Sequence, residues 1–168
     1  MAEGSRSAVI YMLRTAQQHH VQLSMMADQK ASALLAACFV TLSISVAYAS
    51  NHSPSLPLLV IMAFAVLSAF FAAFAVMPRV RFQPASGRPR NLLFFGDFAD
   101  LSLDQYRAAA QPLLESNEEV YDAILEDLWC LGQVLMRRKY RFLGLAYRCF
   151  IIGLLAAPMA WAAETWWL

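Results

Sequence analysis

The chain has 168 residues, 60% of them hydrophobic and 15% charged, with a net charge of +1 and a mean hydropathy of +0.47. So much apolar side chain on so short a chain excludes an ordinary soluble domain, which would have no way to cover it. A net charge near zero gives no basis for nucleic-acid binding, and three cysteines without CxxC or Cys/His spacing give none for a metal site.

Residues 5–30 carry Val9, Leu13, Ala16, His20, Leu23 and Ala27 at three- and four-residue spacing, which predicts an amphipathic helix. No Pro or Gly interrupts Arg6 to Ser50, so this helix is expected to run directly into a first apolar span, Ala31 to Ser50. The turn-forming stretch from Ser50 to Pro57 then predicts a short loop and an antiparallel hairpin with a second span, Leu56 to Met77. That second span has no charged residue, and its length at about 1.5 Å per residue matches a hydrocarbon core of about 30 Å.

Pro78 ends the second span, and residues 78–89 read as an irregular basic linker. A compact aromatic run follows, Asn91-Leu92-Leu93-Phe94-Phe95-Gly96-Asp97. Ser102 or Asp104 is expected to cap a short helix through Gln111, broken by Pro112. Ser116 or Asn117 is expected to cap a long helix whose acidic first turn suits the positive end of the helix dipole. Its apolar stripe, Val120, Ile124, Leu128, Leu131 and Leu135, continues through a basic cluster into a third span. One helix is therefore predicted from Asn117 to Ala163, with a bend near Pro158 as an option. The two half-polar helices each need a partner for their stripes, either one another or a neighbouring subunit.

The basic residues fix an orientation. Arg6, Arg14 and Lys30 precede the first span, while Arg79, Arg81, Arg88 and Arg90 follow the second. Arg107, Arg137, Arg138, Lys139 and Arg141 precede the third, and the 51–57 loop has no Lys or Arg. The positive-inside rule places the N-terminus and residues 78–140 in the cytoplasm. Trp161, Trp166 and Trp167, with Tyr48, then fall where an outer aromatic belt belongs. The expected fold is an all-α membrane protein: a cytoplasmic helix over 1–30, a transmembrane hairpin over 31–77, a cytoplasmic region over 78–140 and a third transmembrane helix over 141–168.

Within the spans, Ala33, Ala37, Thr41, Ser45 and Ala49 are small at every fourth position, as are Ala65, Ala69 and Ala73. Such stripes permit close helix approach within one chain, between subunits, or around a pore. Three spans cover little of one another's surface, which favours a homo-oligomer. Arg148 lies just inside the third span and either snorkels to the interface or faces a cleft. Asp28 and Lys30 sit at the cytoplasmic mouth of the first span, either solvated or turned inward toward Asn91–Asp100.

Nothing in the chain supplies a catalytic constellation. There is no nucleophile with a base and no glycine loop for phosphate. The neighbouring His19 and His20 diverge by about 100° on a helix, too far to share a metal. The expectation is a non-enzyme without a cofactor.

Three segments, taken in order around these spans, resemble the transmembrane effector family of the Pycsar bacterial anti-phage systems. They are Leu13-Arg14-Thr15-Ala16-Gln17-Gln18-His19-His20 leading to Ala27-Asp28-Gln29-Lys30-Ala31, then Asn91-Leu92-Leu93-Phe94-Phe95-Gly96-Asp97, then Arg138-Lys139-Tyr140-Arg141. The resemblance covers almost the whole chain and implies a bacterial inner-membrane protein. It also implies a functional link to a nucleotide cyclase that makes cyclic CMP or cyclic UMP on infection, a response to that nucleotide, and damage to the membrane. The matching positions are Asp28, Lys30, Asn91, Phe94, Phe95, Gly96, Lys139 and Tyr140. Given such a ligand, Arg88, Arg90, Arg138 or Lys139 could hold its phosphate, and Phe94, Phe95 or Tyr140 could stack on its base. Gly96 would admit close backbone approach. Equally, the two Phe could be core and the arginines could hold lipid headgroups. A membrane anchor that recruits a cytoplasmic partner is the alternative function. A channel or transporter subunit ranks third, since no span has the acid or helix breaks of a transport site.

Overall fold

The computed structural model describes residues 3–53, 55–77 and 90–167; Arg88 and the rest of the basic linker lie outside them. Its elements are helices α1 (Glu3–Ala49), α2 (Leu56–Val76), α3 (Phe95–Phe98), α4 (Leu103–Glu115) and α5 (Asn117–Val134), then a π-helical turn (Leu135–Tyr140) and α6 (Arg141–Trp167). No strand occurs among the described residues. The all-α fold and the three spans follow the sequence pattern.

Local chemistry sets the helix ends. Uninterrupted by Pro, α1 continues for 47 residues, about 70 Å at the α-helical rise. Ser55 holds the extended N-cap conformation of α2, with Pro57 in the first turn where its missing N–H is harmless. At α4 the Ser102 hydroxyl accepts from the Gln105 N–H at 3.3 Å while the Gln105 side chain accepts from the Ser102 N–H at 2.9 Å, a complete capping box. Ser116 occupies the N-cap position of α5 without a side-chain cap bond.

Two expectations are corrected. Pro112 does not break its helix, because α4 runs through it to Glu115. Pro112 sits one turn from the end, and the carbonyl it leaves without a donor belongs to exposed Ala108, where water can serve it. The helix from Asn117 is not uniformly α. It passes through the π turn at Leu135–Tyr140, and then continues beyond Ala163 and through Pro158 to Trp167.

The chain forms two compact units. The first comprises described residues 3–23 and 90–135. Its buried side chains are the apolar Leu13, Leu92 and Leu135 and the polar Asn91 and Asp127. His20 faces Gly132, with about 4 Å between the imidazole and a Cβ built on that glycine. A unit with so small an apolar core depends heavily on its polar bonds.

The second unit comprises described residues 24–77 and 136–167 and contains the apolar parts of α1, α2 and α6. Only 22%, 22% and 17% of the three apolar windows is buried, so most of that surface faces outward, as lipid requires and water would not tolerate. Two clusters fill the interior: Ala27, Ala31, Ala75 and Leu143, then Leu34, Cys38, Ala72 and Ala146.

The buried seam of each span steps by three and four residues alternately. In α1 it includes Ala27, Ala31, Leu34, Cys38 and Ser45; in α2 Ala65, Ser68, Ala72 and Ala75; in α6 Leu143, Ala146, Gly153 and Ala157. A strict fourth-residue stripe turns off such a seam by about 40° per step. Thus Ser45 and Ala65 are buried, Ala37, Thr41 and Ala69 are half-buried, and Ala33 and Ala73 are exposed. Small seam residues bring α2 and α6 into backbone contact range. Ser68 Oγ donates to the Ala146 carbonyl at 2.8 Å, and Phe64 lies directly over Gly153.

Candidate functional site

In the first unit, Asn91 organises the aromatic run as a folded turn. Its Oδ1 accepts from the Leu93 N–H at 2.9 Å, and its own N–H donates to Asp97 Oδ2 at 3.2 Å. The Phe94 N–H reaches the Asn91 carbonyl and the Asp97 N–H reaches the Phe94 carbonyl. Gly96 is buried beneath the Phe94 ring, where a Cβ would stand 2.5 Å from Phe94 Cε1. Glycine here makes room for an aromatic ring of its own turn. Phe98 and Tyr106 rings pack at 5.0 Å, and the Tyr106 hydroxyl donates to the Leu92 carbonyl at 3.3 Å, tying the turn to α4.

The turn is anchored on α5 by a buried carboxylate. Asn91 Nδ2 donates to Asp127 Oδ1 at 3.0 Å, and Gln17 Nε2 from α1 donates to Asp127 Oδ2 at 2.9 Å. Asp127 is 5% exposed, so these two amides replace the water its charge would otherwise hold. Arg90, at the head of the turn, pairs with Asp100 Oδ1 at 2.8 Å and reaches the Asp97 carbonyl at 3.3 Å.

Beside this turn lies a cleft of about 400 Å³, a size that suits a small organic ligand. It is lined by Arg90, Asn91 and Leu92, by Ala109, Pro112 and Leu113 of α4, and by Glu119, Asp122, Ala123 and Glu126 of α5. The lining therefore combines apolar side chains, the Arg90 guanidinium and the carboxylates of α5.

In the second unit, Lys139 on the π turn holds Asp28 of α1 through both carboxylate oxygens, at 2.8 and 2.7 Å, and donates to Ser24 Oγ at 2.7 Å. The Lys139 side chain is 21% exposed and that of Asp28 38%. Insertion of an extra residue into the helical ladder makes a π turn, a device common at functional sites. Lys30 is exposed, and its carbonyl accepts from the Tyr147 hydroxyl at 3.4 Å. Tyr140 packs against the cluster of Ala27, Ala31, Ala75 and Leu143. Arg148 is exposed.

The predicted residues thus fall into two groups. Arg90, Asn91, Phe94 and Gly96 share the first unit, with Phe95 opening α3; Asp28, Lys30, Lys139 and Tyr140 share the second, with Arg138 in the π turn. Arg88 lies outside the described residues. Asp28 is part-exposed and its ion-pair partner is Lys139, while Lys30 is exposed.

The sequence reading passed over Asp127, Gln17 and Ser24. A signal was present for each. Asp127 interrupts the α5 stripe between Ile124 and Leu131, and Gln17 and Ser24 continue the three-and-four seam of α1 from Leu13 to Ala27. A polar residue in phase with a buried stripe announces a partner.

A helical membrane protein with three spans, and with a second, polar-cored helical unit carrying a ligand-sized cleft, is the class these features define. The chain matches PycTM, the Pycsar effector protein domain, over residues 11–166. It belongs to that family, whose members are membrane effectors of anti-phage defence tied to cyclic nucleotide signalling and are not known enzymes. No curated protein and no solved structure matches the chain.

Proposed function

We propose that the protein is a nucleotide-gated effector that compromises the bacterial inner membrane when a cyclic pyrimidine nucleotide, cyclic CMP or cyclic UMP, reaches its first unit. In this reading residues 1–30 and 78–140 lie on the cytoplasmic side, and the C-terminus is periplasmic. The excess of Lys and Arg on one side of the spans supports that orientation. A ligand shifts a conformational equilibrium only by binding one arrangement better than another.

The observation that carries the proposal is helical continuity within a Pycsar effector. Helix α1 belongs to the first unit up to Leu23 and to the second from Ser24, and the helix from Asn117 crosses the same division at Leu135. A change among Gln17, Asn91 and Asp127 is thereby joined along continuous helical backbone to two of the three spans. Several copies then rearrange to disturb the bilayer, as the outward-facing small residues Ala33 and Ala73 allow.

The test is dye release from liposomes that contain the purified protein. Release on addition of cyclic CMP or cyclic UMP, and none with protein-free liposomes, is the expected result. Intact liposomes and no binding of either nucleotide would remove the gating claim. Thiol labelling of Arg90→Cys and Glu119→Cys in intact cells checks the orientation, and labelling from the periplasm would reverse it.

A further inference from the structure

The cleft of the first unit has a polarity that a generic anion site would not have. Its lining joins Arg90 to Glu119, Asp122 and Glu126, which follow one another on α5 at a spacing of three and four residues. These carboxylates follow one helix face for about 10 Å, close to the length of a mononucleotide. Ionised carboxylates only accept hydrogen bonds. Glu119 and Asp122 are exposed, so a ligand meets them without any buried pair having to break. A ligand suited to the cleft therefore has an anionic group for Arg90 and hydrogen-bond donors for the carboxylates.

We infer that the cleft takes the cyclic nucleotide with its phosphate at Arg90 and its base edge toward Glu119 and Asp122, and that it selects cyclic CMP over cyclic UMP. The inference rests on the nucleotide reading proposed above. Cytosine presents an exocyclic amino group, which donates to carboxylates. Uracil presents a carbonyl oxygen at the same place, which a carboxylate repels. The phosphate has an accessible seat. Arg90 and Asp100 have side chains 35% and 37% exposed, and an exposed pair of this kind adds little to stability, so a phosphate can displace Asp100. The apolar lining residues Leu92, Pro112 and Leu113 cover the ribose and base faces. A site that rejects a wrong hydrogen-bond pattern discriminates well because the mismatch leaves polar groups unpaired.

The test is titration calorimetry of the full-length protein in detergent with cyclic CMP and with cyclic UMP. Cyclic CMP should bind more tightly by about tenfold or more, the scale of one well-made base-edge contact. Asp122→Asn and Glu119→Gln supply an amide that donates as well as accepts, so the double variant should bring the ratio to about threefold or less, mainly by strengthening cyclic UMP. Arg90→Gln should weaken both nucleotides to the same extent. Equal affinities in the unmodified protein, a preference for cyclic UMP, or a ratio unmoved in the double variant would overturn the assignment and leave nucleotide gating standing. Absence of binding by either nucleotide would overturn both. The two carboxylates are exposed, so the melting temperature of the double variant should match that of the unmodified protein, and a fall of several degrees would assign them a structural role instead.

Discussion

Asn91 and Asp127, each 5% exposed, are joined by a 3.0 Å hydrogen bond from the amide to the carboxylate. The bond ties the aromatic turn to α5, 36 residues away in the chain. Asn91 also supplies the Oδ1 that bonds to the Leu93 N–H. One side chain thus shapes the turn and docks it. Asn91→Ala should cost about 2 kcal/mol in the stability of the first unit, because it leaves a buried carboxylate short of a donor. Asn91→Asp should cost more, since it sets a second carboxylate against the first. Gln17→Ala should cost less than either, because Gln17 is only half-buried. Limited proteolysis in detergent, scored within residues 90–135, measures the order; equal resistance of Asn91→Ala and the unmodified protein would contradict the docking role.

Gly153 and Phe64 give a second prediction, in the membrane. A Cβ on Gly153 would stand 2.5 Å from Phe64 Cβ and 3.8 Å from its Cα. The obstruction is the root of the side chain, which has no rotamer to retreat into. Gly153→Ala should therefore push α2 and α6 apart and destabilise the second unit by about 1–3 kcal/mol. Gly144, whose added Cβ meets nothing within 4 Å, is the control: Gly144→Ala should be neutral or stabilising through helix propensity. Thermal aggregation in detergent distinguishes them, and like behaviour of the two variants would remove the close-approach argument.

The contrast between these two glycines also shows how far the sequence alone reaches. Apolar length was enough to read three spans and an all-α fold, because lipid imposes its requirement on composition. Which face of a span is buried was harder to read. Fourth-residue stripes such as Ala65, Ala69 and Ala73 are conspicuous in a list of letters, yet the packed seam is Ala65, Ser68, Ala72 and Ala75, since helices that stay in contact follow a mean step of 3.5 residues. In α1 that step runs from Leu13 through Gln17, His20, Ser24, Ala27, Ala31, Leu34 and Cys38, with polar members that propensity reading treats as surface. The π turn at Leu135–Tyr140 left no trace in the apolar pattern, because one additional residue in a helix changes phase without changing composition. The cleft was not legible at all: Arg90 and Asp122 are brought together by the turn that Asn91 builds.

Ser68 offers a gentler probe of the same seam. Its hydroxyl is fully buried and donates to the Ala146 carbonyl at 2.8 Å. Interhelical bonds of this kind in bilayers contribute about 0.6 kcal/mol on average, so Ser68→Ala should be mild. Ser68→Leu should be severe, because it must place a branched chain against a residue with no exposure. A unit that tolerated leucine as well as alanine would not have its seam at this position.

Lys139 and Asp28 bear on function as well as stability. The ion pair clips α1 to the π turn, and Ser24 completes the lysine's shell. Both partners are part-exposed, so the pair should contribute about 1 kcal/mol and weaken with added salt. A double-mutant cycle with Asp28→Ala and Lys139→Ala should return a coupling of that size in melting experiments, since the residues touch. Asp28→Lys combined with Lys139→Asp should recover most of the loss, because Ser24 can donate to a carboxylate at 139 as readily as it accepts from the ammonium. If the clip transmits a signal, the swapped protein should regain nucleotide-dependent dye release where each single variant releases less. Recovery of stability without recovery of release would assign these side chains to the ligand or the lipid surface rather than to the clip.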